Sequence, residues 1–275
     1  MNGIELIDCH THTVFSDGGS TLAKNMDAAL HAGITTIACT DHWGKPEFVD
    51  CSIKESELST YFNSVVALRE QYPSLEIVLG LEADWYPGCE KDLTSLREQN
   101  TANGTYHPTF FLGSVHYLQE KAIDWDEDTR IWKELGHDGL WRLYAEEWCK
   151  AATSSLFDSM AHPDLPWLFS TKGYAPSVDL TPLWKEMAQA ANAGKVHIEI
   201  NTAGLTKGFN DFYPRKALLE EFHAAGVPIT VGSDAHHHSR IGANIADAYR
   251  YARSVGYTSI DVPTQNGSWR TLAIM

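Results

Sequence analysis

The sequence has 275 residues, with 21 Lys and Arg against 36 Asp and Glu, for a formal net charge of −15. A hydrophobic share of 43% can fill a large buried core, which excludes a disordered chain. The charge sign excludes proteins that coat nucleic acid or bind anionic membranes through a broad basic surface.

In chain order, β-branched or apolar runs predict strands at Ile4–Asp8, Thr36–Thr40, Glu76–Glu82, Phe110–Val115, Leu156–Ala161, Val196–Asn201 and Pro228–Gly232. Helical periodicity falls between them. The first helix places Leu22, Ala23, Met26, Ala29 and Leu30 on one face, with Gly33 at its C-terminal end. Further helices are expected over 54–72, 136–153, 181–193 and 214–225. The last places Ile241, Ile245, Ala248, Tyr249 and Ala252 on one face. Residues 84–109, with Pro87, Gly88, Asn103, Gly104 and Pro108, read as loop plus a short helix.

Seven strand–helix units imply parallel strands, and their count suits a (β/α)7 barrel formed as a single domain over residues 1–275. An open doubly wound sheet is the structural alternative. No apolar run approaches the roughly 20 residues that span a bilayer, and Met1–Glu5 lacks the basic, apolar start of a signal peptide. Five scattered cysteines, an odd number without C-x-x-C, fit reduced thiols in a cytoplasmic protein.

The informative pattern is where metal-type residues fall. His10 and His12 follow the first strand, His42 the second, and Glu82 ends the third. His116 follows the fourth, His162 the fifth, and Asp234 and His236 the seventh. In a parallel barrel the C-terminal strand ends share one face, where catalytic groups sit. Imidazoles and carboxylates gathered there make a site for Zn, Mn or Fe. Of the thirteen histidines, His31, His107, His137 and His223 are expected at the surface and His197 packed. His237 and His238 follow the D-x-H segment and border the mouth.

His-Thr-His-Thr-Val-Phe-Ser-Asp-Gly at 10–18 and Thr-Asp-His at 40–42 resemble the opening of the PHP (polymerase and histidinol phosphatase) superfamily. Gly80–Trp85, Gly113–Tyr117, Ala161–Leu165, Glu199–Gly204, Tyr213-Pro214 and Gly232–His236 narrow the resemblance to PHP-type histidinol-phosphate phosphatases, over roughly residues 4–256. The resemblance implies a distorted (β/α)7 TIM-like barrel holding three divalent transition-metal ions. By it, His10, His12, Glu82 and Asp234 hold the first ion. Glu82, as a bridge, joins His116 and His162 at the second, and Asp17, His42 and His236 hold the third. Histidinol phosphatases often carry His near position 17, where this chain has Asp17 in the Ser-Asp-Gly form of other PHP members; a carboxylate serves there too.

Such a centre would supply hydroxide near neutral pH for attack on a phosphate monoester, and the resemblance implies L-histidinol phosphate, in histidine biosynthesis, as that ester. Six positive charges against three carboxylates and a hydroxide leave the mouth at about +2, which suits a phosphate dianion despite the acidic chain. Glu82, Asp234 and His236 are the catalytic candidates, with no general acid assigned. Arg215, Arg240, Asn201 and Tyr117 are the candidate substrate contacts, with Lys207 a weaker one; Trp85, Tyr117 and Asp84 are candidates for an imidazole or ammonium group. Expected partners are thus a small phosphorylated substrate, with no long nucleic acid and no membrane. Three alternatives stay open: a PHP phosphoesterase acting on another small ester or a nucleotide, an amidohydrolase, and a metal-binding module without activity.

Overall fold

Seven of the described strands line up side by side and parallel, and what joins the two ends of that row positions everything else. The computed structural model describes residues 4–44, 51–98 and 106–274. Its first half runs β1 (Leu6–Asp8), α1 (Leu22–His31), β2 (Ile34–Cys39), β3 (His42–Trp43), α2 (Leu58–Gln71), β4 (Glu76–Asp84), α3 (Glu90–Glu98) and β5 (Phe110–Ser114). A small hairpin, β6 (Tyr117–Leu118) and β7 (Lys121–Ala122), precedes α4 (Arg130–Thr153) and β8 (Ser159–Met160). There follow α5 (Thr181–Gly194), β9 (His197–Asn201), α6 (Lys216–Ala224), β10 (Ile229–Gly232) and α7 (Ile245–Val255). A C-terminal hairpin of β11 (Ser259–Pro263) and β12 (Trp269–Ala273) ends the order.

The sheet order is β1-β2-β4-β5-β8-β9-β10, with β3 paired to β4. The row curls until its edges meet. Cys9 N donates to Val231 O at 3.0 Å, His12 N donates to Ala235 O at 2.9 Å, and Thr11 pairs with Ala235 in parallel. The fold is therefore a distorted, nearly closed (β/α)7 barrel, and the open doubly wound alternative is excluded. Fully buried Ile7, Ile37, Ile77, Leu81, Ile198 and Val231 supply the apolar filling of its strands, as parallel strands covered by helices require.

Each predicted strand and helix is present, and the differences have local causes. The helix expected from 136 forms one body with 130–135 only in outline, because Gly136 (φ 64°, ψ 169°) breaks it. The last helix starts at Ile245, one turn after Ile241, because Gly242 (φ 72°) and Asn244 (φ 61°) hold left-handed conformations; Ile241 is still buried. The short helix expected within 84–109 is α3, while Asn103 and Gly104 lie outside the described residues. The two hairpins were not expected. The second covers the end of the barrel opposite the metal-type residues, where His197 stacks on Trp269 at 3.6 Å and reaches Asp261 at 3.0 Å, so His197 is a packing residue. His31 and His223 are exposed as expected, whereas His107 and His137 are half-buried. All five cysteines are free. No described helix is long and apolar enough to cross a membrane.

Candidate metal centre

Strand ends bring the nine expected ligands to one face. Glu82 stands at the centre, buried, on the longest strand of the barrel and in register with His42 of β3. Its Oε2 lies 2.9 Å from His10 Nε2, 3.3 Å from His12 Nε2 and 3.1 Å from His42 Nδ1. Its Oε1 lies 2.9 Å from His162 Nε2 and 3.5 Å from His116 Nε2. One carboxylate thus turns its two oxygens to two sets of imidazoles, as a bridging ligand does. Asp234 Oδ1 lies 3.4 Å from His12 Nε2 and 3.3 Å from His236 Nδ1. Asp17 sits at the outer edge, with Oδ2 3.2 Å from His236 Nε2 and Oδ1 3.7 Å from His42 Nε2.

Among the described residues, three sets of ligand atoms are close enough to share an ion: His12, Asp17, His42 and His236; His10, His12 and Asp234; His42, Glu82 and His116. The grouping differs in detail from the expected one. His12 also reaches the outer set, His42 also reaches Glu82, and His162 joins through Glu82 Oε1 and His116.

The donor chemistry fits metal ions. His10 Nδ1 meets Glu199 Oε1 at 2.7 Å, and His116 Nδ1 meets Asp84 Oδ1 at 2.7 Å. A neutral ring whose Nδ1–H is given to a carboxylate presents a lone pair at Nε2. Those Nε2 atoms face His12 Nε2 at 3.0 Å and His162 Nε2 at 3.3 Å. Ring nitrogens gathered this closely in a buried site need cations between them, protons in the metal-free protein or metal ions in their place, and carboxylate–imidazole pairs of this kind orient metal-binding histidines. His12 Nδ1 and His162 Nδ1 are buried with no hydrogen-bond partner among the described residues.

Electrostatics point the same way. Burial opposes charge on His12, but contacts to Asp234 and Glu82 outweigh it and lift its pKa to about 9. For His116, Asp84 and Glu82 overcome burial and lift it to about 10. Burial holds His42 well below its usual value. Glu82, against its burial, is kept well below the carboxylate range by His10, His42 and His116, and Asp234 by Lys207 and His10. Ionised carboxylates ringed by imidazoles form a ligand set for divalent cations.

Buried carboxylates to which the sequence assigns no site role hold the ligands in place. Glu199 of β9 accepts from His10 Nδ1, from His162 N at 3.0 Å and from Asn201 Nδ2 at 3.0 Å. Asp41 accepts from Thr13 N, Thr13 Oγ1 and Ser16 Oγ, which fixes the turn carrying Asp17. Asp8 accepts from Ser233 N, Ser233 Oγ and Gly242 N, which fixes the segment carrying Asp234. Their alternation signal was available: each sits in or just beyond a strand where an apolar residue is the norm. Gly232 is needed for closeness, since a Cβ there would lie 2.4 Å from Glu199 Oε1 and from His10 Cβ. Asp234 (φ 53°) and His162 (φ 22°) hold backbone angles that side-chain-bearing residues rarely adopt, a cost tolerated where ligands must be aimed.

The expected substrate contacts fare differently. Tyr117 lines the cavity over the centre, which has a volume of about 580 Å³, and so does Lys207, whose Nζ lies 3.2 Å from Asp234 Oδ2. Arg215 does not line it. Its guanidinium stacks on Trp167 and pairs with Asp211. Arg240 is exposed and also off the lining. Asn201 is fully buried and spends its amide on Glu199, Asp234 and Ala203 N. Trp85 is buried with its indole N–H on Glu147, and Asp84, which does line the cavity, is committed to His116. His237 bonds Ser239 and His238 bonds Ser20, away from the ligand cluster.

The PHP domain family matches residues 8–203 of the chain. A relative from Deinococcus radiodurans, named probable histidinol-phosphatase, is 32% identical over 256 residues, covering 91% of this chain and 94% of its own. The histidinol-phosphatase of Bacillus subtilis is 27% identical over 260 residues, covering 86% and 95%. In structure, histidinol phosphate phosphatase from Lactococcus lactis, solved with zinc, L-histidinol and phosphate, superposes with a TM-score of 0.81 at 20% identity, covering 98% of this chain and 100% of that one.

Proposed function

The chain belongs to the PHP domain family, and from that premise we propose that it is a metal-dependent phosphoric monoester hydrolase that cleaves L-histidinol phosphate to L-histidinol and phosphate. The observation that carries the reading is the aim of Glu82, whose two oxygens face two separate sets of imidazoles beneath one cavity. Full-length similarity to relatives named histidinol-phosphatase supports the choice of substrate.

In this reading His10, His12, Glu82 and Asp234 hold one ion, Glu82, His116 and His162 a second, and Asp17, His42 and His236 a third. Divalent Zn, Mn or Fe bound there would act as a Lewis acid on the phosphoryl group and provide hydroxide near neutral pH. The chain's own residues do the rest. Glu199 and Asp84 hold His10 and His116 in the tautomer that turns Nε2 toward the centre. Lys207 contributes a cation beside Asp234, on the cavity wall, where a phosphoryl oxygen can accept from it. Tyr117 lines the same space. Lys207 and Tyr117, rather than Arg215, Arg240 or Asn201, are the proposed substrate contacts.

The test is phosphate release from L-histidinol phosphate beside a panel of nucleotides and sugar phosphates, on protein of measured metal content. The reading expects a clear preference for L-histidinol phosphate. A rate no better than the panel's would leave a phosphoesterase of other substrate.

A further inference from the structure

The cavity lining carries two unlike sets of side chains. The ligand cluster and Lys207 form one. The other is a wall built from the β6–β7 hairpin and the segment that follows it, contributing Glu120, Asp124, Trp125 and Asp128. Asp128 is already neutralised, since Arg130 forks onto it through Nε at 2.9 Å and Nη2 at 2.7 Å. Lys121, the other cation of this stretch, is held by Glu134. Asp124 and Glu120 make no hydrogen bond or ion pair among the described residues, although both line the cavity. Trp125 stands beside them with 56% of its surface exposed, an unusual placement for the largest apolar side chain.

A phosphoryl group seated at the ligand cluster must direct its alcohol into the remaining space. That space is bordered by Asp124 and Glu120, which have no hydrogen bond or ion pair among the described residues, by the open indole face of Trp125, and by Arg130 committed to Asp128. A leaving group with an ammonium or imidazolium would pair with the carboxylate and lie on the ring. A leaving group with a second anion would meet like charge at close range. We infer that Asp124, with Trp125 beside it, determines specificity, selecting phosphate monoesters whose alcohol carries a cation and rejecting those with a further anionic group. This rests on the phosphatase reading above and adds the residues that enforce its selectivity.

The experiment compares wild type and Asp124→Asn, both metal-loaded, on L-histidinol phosphate, on phenyl phosphate, whose alcohol is uncharged, and on a nucleoside monophosphate. A second arm titrates L-histidinol into each protein by calorimetry. In Asp124→Asn the ratio of kcat/KM for L-histidinol phosphate over phenyl phosphate falls by about tenfold or more, chiefly through KM, as loss of a charge-assisted contact predicts. The relative rate on the nucleoside monophosphate rises, and L-histidinol binds more weakly. A ratio within about twofold of wild type overturns the inference, and so does a parallel fall on all three esters, which would mark a structural role. Failure of wild type to turn over any ester would overturn the phosphatase reading. The calorimetric arm would then still decide, because equal L-histidinol affinity in the two proteins overturns the role of Asp124.

Discussion

Replacing Glu199 by Gln changes one atom and reverses one hydrogen bond that the centre depends on. The carboxylate accepts three bonds: from His10 Nδ1 at 2.7 Å, from His162 N at 3.0 Å and from Asn201 Nδ2 at 3.0 Å. A carboxamide keeps the shape but has one accepting end and one donating end. If its NH2 faces His10, the ring must accept at Nδ1 and carry its proton on Nε2, the atom aimed at Glu82 and His12. If its NH2 faces the other way, it meets two donors, His162 N–H and the Asn201 amide. Either choice costs a charge-assisted bond of about 1.5–3 kcal/mol in a buried site, and the first also blocks a metal ligand. Loss of such an orienting partner lowers metal affinity by about 10- to 100-fold. The assay is metal content by mass spectrometry after equilibration against graded chelator, with circular dichroism to establish folding. Glu199→Gln should release metal at lower chelator concentration than wild type while keeping its secondary structure. Metal retention equal to wild type would refute the orienting role.

Three further outcomes follow from the same geometry. Because the contacts of His12 and His116 raise their pKa values to about 9 and about 10, both carry protons at pH 7.5 in the metal-free protein, and ligation must displace them. Metal loading at pH 7.5 should therefore release protons, measurable in weakly buffered solution, and affinity should fall as pH is lowered; loading without proton release would count against this ligand set. Gly232→Ala puts a methyl 2.4 Å from Glu199 Oε1 and His10 Cβ, so it should lower the melting temperature and metal content together, and an unchanged melting temperature would contradict the packing. Lys207→Met removes the cavity cation beside Asp234 while leaving all nine ligands, so kcat/KM on the preferred ester should fall by about 10- to 100-fold at unchanged metal content; full activity would remove Lys207 from the phosphate contacts.

Much of the fold was legible because periodicity and ligand position agree. Apolar strands ending in His, Glu or Asp place those residues at one face of any parallel barrel, so the local pattern alone gathers His10, His42, Glu82, His116, His162 and Asp234. Residues that act through a neighbour were harder to read. Glu199 and Asp84 look in sequence like one acidic residue within a strand and one just after Glu82; only the barrel's curvature brings Glu199 under His10, 189 positions away. Asp84 reads in sequence as a candidate for a cationic group, because its proximity to His116 depends on the register of β4 against β5. Charge and motif neighbourhood point to Arg215 and Arg240 as phosphate contacts, yet Arg215 packs on Trp167 and pairs with Asp211.

The sequence by itself determined which chemistry this protein can hold. Ligand type is a property of the side chain, and strand-end position follows from a local pattern of apolar runs and turns. Tertiary structure decided how those groups are used. It closed the row of strands through Cys9 and Val231, aimed the two oxygens of Glu82 at different imidazoles, put Lys207 on the cavity wall instead of Arg215 or Arg240, and left Asp124 on the cavity lining without a hydrogen bond or ion pair among the described residues. Those outcomes depend on distances of a few ångströms between residues tens to hundreds of positions apart. Such distances are set by barrel closure and side-chain packing, and no local pattern in the chain encodes them.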